Sequence, residues 1–459
     1  MKIDSPEKEG DRNNMKKNEE LLEHASFGKL VLNLCVPSIV IMLVMVIYNM
    51  ADTFFIGQTG DPNKIAAISL CNPLFTVLSG LGTLFGSGGC TAISIALGKR
   101  DFENIRHYTS FCCYAGLALG FLFSGIVLSC TPAICMALGA DADTLGFTCN
   151  YLRIIAIGAP FIMFTHIFAN IIRADGAAFQ SMIANGLGTV SNIVMDAIFI
   201  MIFHWDVRGA ALATILGNIL SCLYLFYYVT RKQKAFSLSP KYFSLRKDIS
   251  FAILSLGLPM ACSTLLMSFS HVIANRMMVG YSAVALAAQG VAGKCSMLIS
   301  MLAMGICMGI QPAISFSYGR RNLERMKLLI RNTGIVTFLI GTVLSILGMV
   351  FRDTLIALFI QNDDVIAYGQ IMIIANLITG PFYGLYQLCQ SFLQSTGKAS
   401  YATFTAFLDK GLYYLPILFL MEHFFGMYGI AFTGAVTLFF SLITGALLSF
   451  RWSRQIAAQ

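Results

Sequence analysis

The sequence predicts an all-α integral membrane protein of twelve transmembrane helices, built as two parallel-repeat bundles of six. Three observations predict it. Of 459 residues, 57% are hydrophobic and only 12% are charged, about half the charged share of a soluble chain. The apolar residues fall into twelve runs, each long enough for a bilayer core, which takes about 20 residues of helix. The second half of the chain also repeats the first, at the spacing that separates Pro160 from Pro381.

Composition alone removes several classes. So few charges cannot cover a soluble surface, which excludes a cytosolic enzyme, a nucleic-acid binder and a secreted disulfide scaffold. The net charge of +8 is not a nucleic-acid signal, because its meaning lies in where the charges sit. Residues 1–29 are polar with mixed signs (Lys16-Lys17, Glu19-Glu20) and no early apolar run, so no cleavable leader is expected. They read as a cytoplasmic tail.

The spans follow in order at roughly 30–57, 64–90, 107–131, 148–172, 179–203, 209–230, 250–279, 284–316, 328–351, 366–394, 400–421 and 427–450. Short polar breaks divide them, such as Gly60-Asp61-Pro62-Asn63 and Phe203-His204-Trp205-Asp206. The expected divisions are an N-lobe at 30–230, a basic linker at 231–249, a C-lobe at 250–450 and a tail at 451–459. Most of the thirteen cysteines fall inside spans, where cysteine behaves as a small hydrophobe. Cys130, Cys135 and Cys149 lie near one outer loop, and spacing leaves open whether any of them pair.

Charge placement fixes the orientation. Lys and Arg concentrate in cytoplasmic loops. With the N-terminus inside, 24 of the 31 basic residues lie in inner segments and only Lys64, Arg208 and Arg352 in outer loops. Both termini are therefore expected in the cytoplasm.

The repeat appears in several motifs. Ala51-Asp52-Thr53-Phe54-Phe55-Ile56-Gly57 aligns with Ala274-Asn275-Arg276-Met277-Met278-Val279-Gly280, and Gly158-Ala159-Pro160-Phe161 with Thr379-Gly380-Pro381-Phe382. Six spans per half give both halves one orientation, related by an axis along the membrane normal. In a transporter of that plan the substrate site lies between the halves.

Ionisable groups inside spans are costly and mark function by default. Only Asp52, Asp196 and Asp409 sit well inside, with Asp175 at an inner helix end suited to a turn or cap. Asn192 precedes Asp196 by four residues, so both face one side of span five. Thr214 of span six adds a hydroxyl. If these converge with Asp52, two nearby carboxylates share a proton or a hard cation. In the repeat, Asp52 falls against Asn275 and Asp196 against Ile417, so the acidic site belongs to one lobe. Asp409 and Lys410 are adjacent in span eleven. Neighbours in a helix do not face each other, so Asp409 is expected to pair with Lys294 or another base.

The chain carries 36 Phe and 23 Met, side chains that adapt to varied apolar ligands. Candidate substrate contacts are Tyr48, Met50, Phe164, Met267, His271, Asn275, Phe382, Tyr383 and Tyr386.

These motifs together resemble the multidrug and toxic compound extrusion (MATE) family. The resemblance rests on Pro37 through Tyr48 and Asp52 to Gly57, Arg173-Ala174-Asp175-Gly176, Asn192 to Asp196 and Gly209 to Thr214. In the second lobe it rests on Leu286-Ala287-Ala288 and Gly309-Ile310-Gln311-Pro312. It implies a V-shaped pair of six-helix bundles in the cell inner membrane, acting as a monomer. It also implies export of organic cations or amphipathic drugs in exchange for Na⁺ or H⁺, with Asp52, Asn192, Asp196 and Thr214 as the coupling site. A second cation site known in one bacterial branch needs acids in spans seven and ten. Here span seven offers His271 and Asn275 and span ten has no acid, so coupling is expected in the N-lobe alone. A related alternative is a flippase for a lipid-linked precursor, which wants a more cationic cavity than Lys294, Arg276 and Lys410 provide. No His-Glu-x-x-His spacing, nucleophile–base pair or P-loop occurs, so neither an enzyme nor an ATP-driven pump is expected, and no cofactor.

Overall fold

The computed structural model describes residues 18–57, 61–233, 235–359 and 363–458; some side chains within these ranges, Asn49, Met50 and Asp52 among them, lie outside the described set. The chain divides into two compact units, one ending at Gly257 and the other beginning at Leu258.

The first unit holds α1 (Val36–Gly57), α2 (Pro62–Lys99), α3 (Phe102–Ser129), α4 (Leu145–Ile171), α5 (Ala178–Asp196) and α6 (Asp206–Tyr227). Helix starts are written in the sequence. Asp61 accepts from the Asn63 amide at 3.0 Å with Pro62 in the first turn of α2, which supplies an acceptor where the helix has an orphan donor. Asp101 does the same for α3. Helix α4 is the hub, packed on α2, α3 and α6. Small residues permit close approach without a hydrophobic driving force in lipid. A Cβ on Gly120 would stand 2.8 Å from the Pro160 Cα, and Ser124 donates to the Ala156 carbonyl at 2.5 Å.

The expected linker lies along α3. Tyr114 donates to the Leu238 carbonyl at 2.8 Å and Ser110 to that of Ser239 at 3.0 Å. The first turns of α7 (Lys247–Tyr281) also belong to this unit. They meet α2 where a Cβ on Gly257 would fall 1.8 Å from the Leu84 carbonyl oxygen.

The second unit holds the rest of α7, then α8 (Ala283–Gly319), α9 (Leu323–Val350), α10 (Asp363–Leu377), α11 (Gly380–Ser395), α12 (Ala399–Phe407) and α13 (Tyr414–Ala457). It repeats the first in its contacts as well as its sequence. Ser282 caps α8 as Asp61 caps α2, and Asn322 caps α9 as Asp101 caps α3. Gly341 meets Gly380 as Gly120 meets Pro160, and Ser345 donates to the Leu377 carbonyl at 2.8 Å. Gly176 and Gly397 share φ near 80°, at 80° and 77°, where glycine alone is unstrained.

The halves also differ. Helix α4 runs through Pro160 unbroken, whereas the chain breaks before Pro381 and bends by 40° between α10 and α11. Pro381 takes a first-turn position there, and the Thr379 hydroxyl satisfies the Asn376 carbonyl that the break frees.

Among the described residues ten helices are long and apolar enough to cross a membrane, or eleven with the bent pair, against twelve expected. The difference lies in 399–457, which reads as one helical stretch of 59 residues. Gly426 interrupts it with φ 59° and ψ −138°. A Cβ on Gly429 would sit 1.9 Å from the Met421 carbonyl oxygen. Eight residues of straight helix separate their ends by about 12 Å, so the chain folds back at this point.

Candidate functional site

In the first unit, Asn192 and Asp196 share one face of α5, with 1% and 0% of their surface exposed. Thr214 of α6 is equally buried, at 1%. Paired glycines bring the two helices together. A Cβ on Gly217 would stand 2.6 Å from the Gly188 carbonyl oxygen and 3.2 Å from the Asn192 Cβ. Helix α1 packs along α5 and reaches α6, and the Tyr48 and Thr214 hydroxyls lie 3.3 Å apart. The side chain of Asp52, on α1, lies outside the described residues, as does that of Met50.

Carboxylate, amide and hydroxyl oxygens thus line a dry seam between three helices. Such oxygens suit a proton or a hard cation, and changing the occupant changes the charge of the unit. The seam extends further than the sequence suggested. Asn218 donates to the Thr214 carbonyl at 2.9 Å, and Thr165 of α4 donates to that of Asn218 at 3.2 Å. The signal available was the four-residue spacing of Thr214 and Asn218.

The candidate substrate contacts have varied surroundings. Phe164 is buried, stacked on Phe168 with ring centroids 4.3 Å apart. Met267, His271, Asn275 and Phe382 are exposed, Tyr383 is half-buried and Tyr386 is buried. Asp175 is buried, taking a hydrogen bond from Asn18 at 3.0 Å and another from Gln233. It therefore tethers both the N-terminal arm and the linker, a wider role than a turn. Cys130, Cys135 and Cys149 are all free thiols.

The expected pairing of Asp409 is corrected. Lys410 Nζ lies 2.8 Å from Asp409 Oδ2, and Lys294 is an exposed side chain elsewhere on α8. The reason is a π-helical turn, Leu408–Leu412. Its wider winding changes the angle between neighbours, so the rule for regular helices does not hold.

The geometry thus gives two repeated helical units of apolar spans, with a buried acid–amide–hydroxyl seam in the first. The family model described as MatE matches residues 37–198 and again 259–420, one match in each unit and more than half of the chain. The chain belongs to the MATE family. Curated relatives include the multidrug export protein MepA of Staphylococcus saprophyticus, 33% identical over 416 residues, covering 90% of this chain and 92% of that protein. MepA of Staphylococcus aureus strain MSSA476 is 31% identical over the same length and coverage. Among solved structures, a MATE protein in complex with MaL6 matches with a TM-score of 0.91 at 22% identity, over 96% of this chain and all of that one. A MOP-superfamily transporter from Pyrococcus furiosus matches at 0.89 and 22%, over 96% and 99%. This MATE protein is a multi-span, all-α membrane carrier and not an enzyme.

Proposed function

We propose that the protein exports cationic or amphipathic organic compounds by antiport against Na⁺ or H⁺, with coupling at Asp52, Asn192, Asp196 and Thr214. The observation that carries this reading is the seam between α5 and α6. A carboxylate with none of its surface exposed, in a segment that crosses lipid, is costly and is kept where its charge is used. Asn192 and Thr214 supply the oxygens that make taking up a cation or a proton favourable there. Occupation neutralises the seam and biases the carrier between inward- and outward-facing states. The relatives whose names record multidrug export support the substrate class.

In this reading the fold-back at Gly426 is the loop between the last two spans, which gives twelve spans with both termini in the cytoplasm. Met267, His271, Asn275 and Phe382 are the exposed candidates for substrate contact and Tyr383 a half-buried one, with Tyr48 beside the coupling site; Met50 is a further candidate by its place in the sequence.

The test is dye efflux from proteoliposomes under separately imposed Na⁺ and proton gradients. Efflux driven by one gradient and lost in both Asp52→Asn and Asp196→Asn is the expected result. Full efflux by both variants, or no dye movement under either gradient, overturns the reading.

A further inference from the structure

The two units dress one equivalent helix face differently. Asp101 and Asn322 cap α3 and α9 at the repeat spacing, so Arg106, Ser110 and Tyr114 correspond to Lys327, Arg331 and Ile335. In the first unit this face of α3 is covered by the linker. Arg106 donates to the Tyr242 hydroxyl at 3.2 Å, Ser110 to the Ser239 carbonyl at 3.0 Å and Tyr114 to the Leu238 carbonyl at 2.8 Å. The acceptors are neutral oxygens, as a peptide segment presents them.

In the second unit the same face of α9 lines a groove of about 300 Å³, a volume at the lower end of ligand pockets. Ile330 of α9, Phe392 of α11, and Phe450 and Ile456 of α13 form its apolar walls, and Lys327 and Arg331 line it from α9. Residues four apart lie one above the other on a helix, so the two cations stand together. Both are exposed, and among the described residues neither has an ion-pair partner. A third cation, Arg454, lies over the Phe450 ring, 4.3 Å from its centroid. Among the described residues no carboxylate lines the groove. Glu324, the acid in the first turn of α9, is exposed outside it.

The differences between the two faces decide the occupant. Where Ser110 and Tyr114 hold linker carbonyls, Arg331 brings a full charge and Ile335 no donor. A neutral peptide offers these cations no charge to meet. A phosphodiester meets them with charge-assisted hydrogen bonds, and a guanidinium can grip two of its oxygens at once. The apolar walls in turn gain by covering an apolar body. A phospholipid has both parts. In the orientation proposed above, this end of α9 and α13 is the cytoplasmic one, where basic pockets between helices take anionic head groups.

We propose that the second unit carries a site for an anionic phospholipid, with the phosphate on Lys327 and Arg331 and an acyl chain along Ile330, Phe392 and Phe450. The lipid takes on α9 the place that the linker takes on α3. The proposal does not rest on the export reading.

Native mass spectrometry of the purified, delipidated full chain tests it, with titrations of phosphatidylglycerol and phosphatidylcholine. The two lipids share their acyl chains and differ in net head-group charge. The wild type is expected to bind one phosphatidylglycerol about tenfold more tightly than phosphatidylcholine. The double variant Lys327→Gln/Arg331→Gln is expected to lose that preference, with phosphatidylglycerol weakened about tenfold and phosphatidylcholine within about twofold. Arg231→Gln/Lys232→Gln removes the same charge from an exposed segment of the first unit and should change neither affinity. Glycerophosphoglycerol, the head group without its chains, should not bind at the lipid concentrations used. Equal wild-type affinity for the two lipids, or an unchanged phosphatidylglycerol affinity in the groove variant, overturns the proposal. Equal losses in the two double variants overturn it in favour of diffuse surface charge. Glycerophosphoglycerol binding as tight as that of the lipid overturns it in favour of a free-phosphate site.

Discussion

Tyr48 Oη and Thr214 Oγ1 lie 3.3 Å apart and tie α1, the helix that carries Asp52, to the α6 side of the buried seam. One hydroxyl thereby links the first helix of the unit to its last. Thr214→Val keeps the shape and removes the oxygen. A hydrogen bond of this kind is worth about 1 kcal/mol. The half-saturating concentration of the coupling ion in dye efflux should therefore rise several-fold, with expression unchanged. An unchanged ion dependence would remove Thr214 from the coupling site.

Asp196 makes a stronger prediction. Asp196→Asn keeps the volume and removes the charge. Dye efflux should vanish while the protein still reaches the membrane and melts at or above the wild-type temperature, because holding a carboxylate away from water costs free energy that the neutral amide does not. A variant that both transports and melts as the wild type does would make Asp196 a structural residue.

The seam depends on how closely α5 and α6 approach. Gly217→Ala puts a methyl group 2.6 Å from the Gly188 carbonyl oxygen, which is backbone and cannot swing aside. Forcing extra atoms into such a contact costs about 1–3 kcal/mol. Efflux and melting temperature should fall together. Gly186, on α5, has open space at its Cβ position, so Gly186→Ala is the control on the facing helix and should lower neither.

Residues 238–243 of the linker are held down on α3, and their protease sensitivity measures that hold. Tyr114→Phe removes the donor to Leu238, and Ser110→Ala the donor to Ser239. The double variant should be cut by trypsin at Lys241 several-fold faster than the wild type, with efflux as the control for folding. Equal cutting rates would mean that the aromatic contacts of Phe243 with Phe111 and Tyr114 suffice.

Much of this architecture is legible in the sequence, because a bilayer imposes one simple rule on composition. Long apolar runs, basic loops and a repeat spacing need no knowledge of packing. Asn192 and Asp196 were legible for the same reason, since four-residue spacing on a regular helix fixes a shared face. What the sequence hid depends on local departures from regularity. Pro160 and Pro381 occupy equivalent positions, yet only the second breaks its helix. Asp409 and Lys410 meet because their turn is π-helical, and no hydrophobic period announces such a turn. The docking of the linker on α3 runs through backbone carbonyls of Leu238 and Ser239, which any residue type would present.

A last prediction concerns acid stability at the entry to α4. Asp141 Oδ1 accepts from the Thr144 amide at 2.9 Å and from its hydroxyl at 2.7 Å. These two donors stabilise the ionised carboxylate and hold its pKa below the ordinary value. A carboxyl whose pKa is lower folded than unfolded adds stability that is fully present above the unfolded value, about 4. That contribution is lost as the pH falls through the folded value. Asp141→Asn has no charge to titrate there. The wild type should therefore melt above the variant at pH 7, and the gap should narrow as the pH is lowered from about 5 to 3. Melting curves across that range decide it. A gap that stays constant or widens on acidification would mean that the hydrogen bonds from Thr144 do not favour the ionised form.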